Sequence, residues 1–310
     1  PVGGSAPPPP PGYAPAYAPP PPPAKQSRGV MSRIAAGLLS TVLLASIGLN
    51  IYLGIFFVQM TSGVRESVYQ QGDASQRIVI VPVSGMIDGE VAGYMQDVFT
   101  ALDNDPPKAV IMRVDSGGGS VTASDRIWHY VTQFQKKHPE VPIVSSFGGI
   151  AASGGYYIAA PSDYILAEPS CITGSIGVMA QAFTVNGLLE KIGITPEVLV
   201  ATDSPEKDLA NDIFNPWTDE DRQKLRSFLD HFHDRFVEVV AQGRADVLNP
   251  DQVKTVSDGR TLTAAGAVEE KLIDEVGFLS NAIEKTKSLA GIDPSVIPQV
   301  TMVKRPQSFG

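Results

Sequence analysis

Between residues 77 and 160 this chain alternates β-branched apolar runs with segments of helical period, and that alternation restricts its fold more than any other feature. RIVIVPVSG at 77–85 reads as a strand ending at Gly85. Residues 89–103 then carry Val91, Tyr94, Met95, Val98, Phe99 and Leu102 at the spacing of an amphipathic helix. AVIMRV at 109–114 is a second strand, residues 121–134 a second helix, and residues 141–147 a third strand. Strands joined through helices pair in parallel, because the crossover returns the chain to the same end of the sheet. The order predicts an α/β fold with a largely parallel sheet covered by helices, its strand carboxyl ends open for chemistry.

Two of the strand-to-helix turns carry unusual residues. The third strand runs into FGGIAASGGYYIAA at 147–160, where Ser153 stands between small residues and a glycine pair. A serine on such a turn is lifted from the packed layer, and the following helix start offers unpaired N–H groups. Ser153 is the expected nucleophile; close helix packing is the alternative use of so many small residues. The second strand ends in DSGGGSV at 115–121. Three glycines there leave backbone N–H groups bare. A phosphate cradle would need Walker spacing and a following GK[ST], which this loop lacks. An oxyanion hole needs two fixed donors, each worth about 3–4 kcal/mol to the transition state; a plain structural turn is the remaining use.

Outside this region, 1–23 is almost wholly Pro, Ala, Gly and Tyr and reads as a polyproline-like tail. Lys25, Arg28 and Arg33 follow, and then residues 34–58 without a charge. Those 25 positions span about 37 Å as a helix, enough to cross a lipid bilayer. Positive charge before the span places the N-terminus in the cytoplasm and the globular part outside it, in the periplasm or its equivalent. The expected organisation is a tail at 1–33, a transmembrane helix at 34–58, a linker at 59–76, a catalytic domain at 77–290 and a C-terminal tail at 291–310. A net charge of −9 argues against nucleic acid as a partner. The single cysteine, Cys171, excludes an intrachain disulfide and a multi-cysteine metal site. No cofactor or metal is implied.

A serine hydroxyl needs a neighbour to take its proton. The four histidines are His129, His138, His231 and His233. None sits in a motif, and each reads as structural; His231 and His233, two apart on a helix, point to different faces. A lysine serves if burial makes it neutral. Lys207, Lys191 and Lys224 stay open on composition alone.

Taken together, DSGGGSV at 115–121, GGIAASGGYYIAA at 148–160, TGSIGV at 173–178, EKD at 206–208 before NPWTDEDR at 215–222, and DGR at 258–260 through AVEEKLIDEVG at 267–277 resemble the signal peptide peptidase A family. These are serine proteases with a Ser/Lys dyad on a fold shared with Clp protease and crotonases. The resemblance covers residues 78–277 and fits the short, single-domain form behind a membrane anchor. It implies a repeated ββα superhelix, Ser153 as nucleophile, Lys207 as general base, Ser175 as the hydroxyl that orients the lysine, and Gly119 and Gly154 as oxyanion-hole donors. It also implies peptide substrates such as remnant signal peptides and a homo-oligomeric ring or dome, in which one subunit's serine meets its neighbour's lysine. Two positions depart from the family: Gly117 stands where proline is usual, and SPEKD at 204–208 replaces the usual surroundings of the lysine. Other uses of such a fold are a crotonase-like acyl-CoA enzyme and a membrane scaffold without activity.

Overall fold

The computed structural model describes residues 3–4, 29–61, 64–204, 207, 213–214 and 216–304, without the side chains of 55–61. The chain forms two compact units, residues 1–62 and 63–310.

The first unit contains one long helix, α1 (Val30–Thr61). Its stretch Val30–Gly54 is long and apolar enough to cross a membrane. Leu38, Leu39, Val42, Leu43 and Leu44 are exposed along it. Ser40, Thr41 and Asn50 each return a side-chain hydrogen bond to the carbonyl four residues back, which satisfies these donors within the helix.

The second unit runs β1 (Arg65–Gln70), β2 (Asp73–Ser84), α2 (Gly89–Asn104), β3 (Ala109–Ser116), α3 (Val121–Lys137), β4 (Ile143–Ala152), α4 (Gly154–Ala159), β5 (Tyr164–Ala167), β6 (Ile172–Gly174), α5 (Asn186–Ile192), α6 (Asp219–Gly243), α7 (Pro250–Val256), β7 (Thr261–Thr263), α8 (Ala264–Glu269), β8 (Glu275–Val276), α9 (Leu279–Leu289) and β9 (Pro298–Lys304). The sheet order is β1-β9-β2-β3-β4-β5-β8. From β9 to β8 every pairing is parallel, as the alternation predicts; β1 runs antiparallel to β9, and β7 antiparallel to β6.

Why the strands read as continuous apolar runs is clear from their two faces. In β2, Val79, Val81 and Val83 join one core with α2 and α3, while Ile78 and Ile80 join a second with Ile283 of α9. In β3 the same alternation sends Val110, Met112 and Val114 one way and Ala109 and Ile111 the other. Both faces are buried, so neither can be polar. Polar side chains at the helix starts do the capping: Asp88 accepts from Glu90 and Val91 N–H, and Thr218 forms a reciprocal capping box with Asp221.

Two spans differ from the sequence reading. Residues 65–70 and 73–76, read as linker, form β1 and the start of β2, and residues 298–304, read as tail, form β9. The β1 sequence RESVYQ is polar because one side of this edge ribbon faces solvent. Its partner is remote: Glu66 Oε2 accepts from Thr301 Oγ1 at 2.5 Å, 235 residues away.

Strand β4 positions the site. Its first part, Val144 to Phe147, pairs with β5; its last part, Ile150 to Ala152, pairs with β6. The strand therefore changes partners just before it ends at Ser153.

Candidate active site

Ser153 occupies the turn between β4 and α4 with φ 52° and ψ −121°, a conformation that side chains other than glycine avoid. The surroundings enforce it. Its N–H donates to Gly174 O at 2.9 Å, and its carbonyl accepts from Tyr157 N–H at 2.9 Å. The two bonds tie the turn to β6 on one side and to α4 on the other. Ser175, just past β6, also has a positive φ of 51°, and its N–H donates to Arg260 O at 2.7 Å. Two non-glycine residues held in this region mark where the fold spends conformational energy on position. Both line one open cleft of about 580 Å³.

The glycine loop lies against this turn. Gly118 has φ 101°, and a Cβ there would fall 2.7 Å from Gly154 N and 2.9 Å from Ser153 Cβ. A Cβ on Gly154 would fall 3.2 Å from Gly119 N. Only bare backbone lets the two segments approach this closely. Ser116 Oγ accepts from Gly118 N–H at 3.1 Å and donates to Gly85 O at 2.6 Å, while Ile87 brackets the loop through Gly118 O and Ser120 N–H. The loop is thus pinned without a proline at position 117. Among the described residues, neither Gly119 N–H nor Gly154 N–H meets an acceptor. Both donors are free for an oxygen that develops charge beside Ser153.

Helix α6 forms a wall of the site. Leu229 and His233 line the cleft, whereas Phe232 and Phe236 line an apolar recess of about 20 Å³ below Ser153, with Val121, Tyr157 and Val178. A recess of that size holds about one water or methyl group. Tyr157 packs on Phe236 at 4.8 Å and donates to Asp125 Oδ1 at 2.6 Å. Burial, helped by Asp125, pushes its phenol far above the ordinary range, so it stays neutral. Arg235, stacked 4.5 Å over Trp128, also holds Asp125 at 3.1 Å.

The structure brings Ser153, Ser175, Gly119 and Gly154 together. Lys207 is exposed, and its N–H donates to Ser204 O at 3.1 Å; its neighbours 205–206 and 208–212 lie outside the described residues. Lys191 is exposed at the end of α5, and Lys224 pairs with Glu220 at 3.0 Å. His138 is structural, stacked 4.8 Å from Phe134 and 3.0 Å from Asp103. His233 is different: the sequence reading made it structural, yet it faces the cleft that holds Ser153. Its spacing from Leu229 and Phe236 was the signal, four and three residues along one helix face. Cys171 is buried, and burial pushes its thiol up to about 11. Among the described residues no three or more His, Cys, Asp or Glu converge as metal ligands.

With this geometry in hand, comparison with known proteins gives a definite answer. The profile of peptidase family S49 matches residues 135–293. The chain belongs to peptidase family S49. The Clp protease profile matches residues 65–168, so the two family signals overlap across the Ser153 turn. An Enterococcus faecium protein provisionally named signal peptide peptidase SppA is 33% identical over 236 residues, covering 72% of this chain and 67% of that protein. A provisionally named protease of Synechocystis is 34% identical over 225 residues, 72% of this chain and 77% of its own length. Protease 4 of Haemophilus influenzae is 35% identical over 222 residues, which are 69% of this chain but 35% of that longer protein. As an S49 member the chain is a serine protease, and its α/β sheet is the scaffold of that activity.

Proposed function

We propose that this chain is a membrane-anchored serine endopeptidase acting on apolar peptides outside the cytoplasm, with remnant signal peptides as the substrate class. The observation that carries the reading is the strained Ser153 turn packed against a glycine loop with two unengaged N–H groups. Ser153 Oγ attacks the scissile carbonyl, and its proton passes to the amine of Lys207. The Gly119 and Gly154 N–H groups receive the oxyanion, and Ser175 orients the lysine. The amine returns the proton to the leaving peptide nitrogen, and water then attacks the acyl-serine by the same route. The recess below Ser153 suits a small apolar side chain next to the cleaved bond.

Burial is what makes a lysine amine a base at neutral pH. Within one chain Lys207 is exposed, so we assign its burial to assembly: a ring or dome of copies in which each Ser153 meets a neighbour's Lys207. Helix α1 serves as the anchor, with the N-terminal tail in the cytoplasm and residues 65–304, from β1 to β9, as the catalytic domain, folded as the repeated ββα superhelix that Clp protease implies. The β4 switch from β5 to β6 is the local element of such a superhelix that the site uses.

The test uses the full chain in detergent with a fluorogenic apolar peptide. Wild type should hydrolyse it, Ser153→Ala and Lys207→Ala should not, and mixing the two variants should restore activity if the dyad spans two copies. Full activity in Lys207→Ala would overturn the base assignment, and full activity in Ser153→Ala the nucleophile.

A further inference from the structure

Two residues of the cleft wall beside Ser153 each carry a polar atom that is buried without a hydrogen-bond partner among the described residues: His233 Nδ1 and Ser257 Oγ. Both residues line the cleft of about 580 Å³, together with Ser153 and Ser175. An orphaned buried donor or acceptor costs about 1–3 kcal/mol. One such atom is a local imperfection, but two on residues that line a single cleft point to one shared partner, and in the proposed function what enters this cleft is the peptide.

The placement of His233 is set by α6. Leu229 lies one turn before it on the cleft side, and Phe232 and Phe236 turn toward the recess. The helix therefore presents an apolar surface and a polar surface to two adjoining parts of one site. Ser257 comes from the C-cap of α7, where its N–H donates to Lys254 O at 3.3 Å and leaves the hydroxyl uncommitted. Asp230 and Asp258 line the same cleft, and Asp258 is held by Arg260 at 2.8 Å. Two carboxylates at the rim disfavour an acidic side chain.

We infer that His233 and Ser257 form a polar specificity subsite for a hydroxyl- or carboxamide-bearing side chain of the substrate, next to the small apolar residue taken by the recess. Such a side chain both donates and accepts, so it satisfies the imidazole nitrogen in either tautomer and the serine hydroxyl with it. A methionine of similar length would leave both atoms orphaned. The subsite rests on Ser153 being the nucleophile.

The experiment compares peptides that differ only in Gln, Met or Glu at each position flanking the scissile bond, using the full chain in detergent. At one position wild type should prefer Gln over Met in kcat/KM by about threefold to tenfold, the worth of one hydrogen bond, and should cleave the Glu peptide least. His233→Phe should bring the Gln-to-Met ratio to about one, Ser257→Ala should reduce it, and His233→Asn, which keeps a polar atom near the Nδ1 position, should retain it. A merely structural role for His233 would slow all peptides alike and leave the ratio unchanged, and that result overturns the inference. A wild-type ratio of one at every position overturns it as well. Ser153→Ala runs beside these variants: hydrolysis persisting there overturns the nucleophile and the subsite with it, whereas loss of hydrolysis there together with a Gln-to-Met ratio unchanged in His233→Phe overturns the subsite alone.

Discussion

From Ala151 to Ala160 every residue but Ser153 is buried, whereas between Met179 and Phe214 the described apolar side chains lie largely in solvent, Phe183 at 72% and Leu199 at 92% exposure. The first stretch sits between β3, β6 and α6 and is fixed by bonds on both sides of the serine. The second contains α5, which has no buried residue at all. A segment so apolar and so exposed is unusual for a surface that stays in water. The contrast teaches that the proposed nucleophile is positioned by the core of a single chain, while the segment leading to Lys207 draws little support from that core. In our reading, a second copy supplies the difference.

The strongest break in this comparison is chemical. Ser153→Ala should lower peptide hydrolysis at least about a thousandfold with the fold intact, measured by peptide turnover and circular dichroism together. Gly118→Ala comes next: at φ 101°, with a Cβ 2.7 Å from Gly154 N, it should cost about 2–4 kcal/mol in denaturant unfolding and displace the donors as well. Ser153→Gly separates strain from chemistry. It should abolish turnover yet gain about 1 kcal/mol of stability, since glycine accepts φ 52° freely; an unchanged melting temperature would mean the turn stores no strain. Paired Phe183→Ser and Leu199→Ser should alter unfolding in dilute solution by no more than about 0.5 kcal/mol, but should lower the oligomer fraction in analytical ultracentrifugation. A large loss of stability there would show that the segment is packed within one chain. The smallest effect concerns Cys171: with its thiol pushed up to about 11, little thiolate exists at pH 8. Iodoacetamide should label it slowly in the native protein, faster as pH rises toward 11, and rapidly after unfolding.

Most of the central sheet was legible because β2 and β3 bury apolar residues on both faces and the helices between the strands repeat their apolar positions at 3.6 residues. The expected helices at 89–103 and 121–134 match α2 and α3 closely. Strands β1 and β9 were not legible: their pairing joins residues at opposite ends of the unit, and RESVYQ has no local apolar pattern. At the site, the glycine runs announced where backbone must approach backbone and pointed to Ser153, while Gly119 and Gly154 as donors were named only through the family resemblance. His233 offered only its spacing from Leu229 and Phe236 along one helix face, and a lone histidine on such a face reads the same beside a core partner or a cleft. Lys207 carries no local signal either, since exposure in one chain is compatible with any solvated loop.

The position of β9 in the sheet bears on how the protein is made. It lies between β1 and β2, which are consecutive in the chain. Synthesis therefore delivers β1 and β2 well before the strand that fills the slot between them, residues 298–304. Until β9 is made and docked, the free edge of β2 is open to any passing strand, and its docking closes that slot from within the same chain. The insertion of a late-made strand between two early ones is thus the step that seals the sheet.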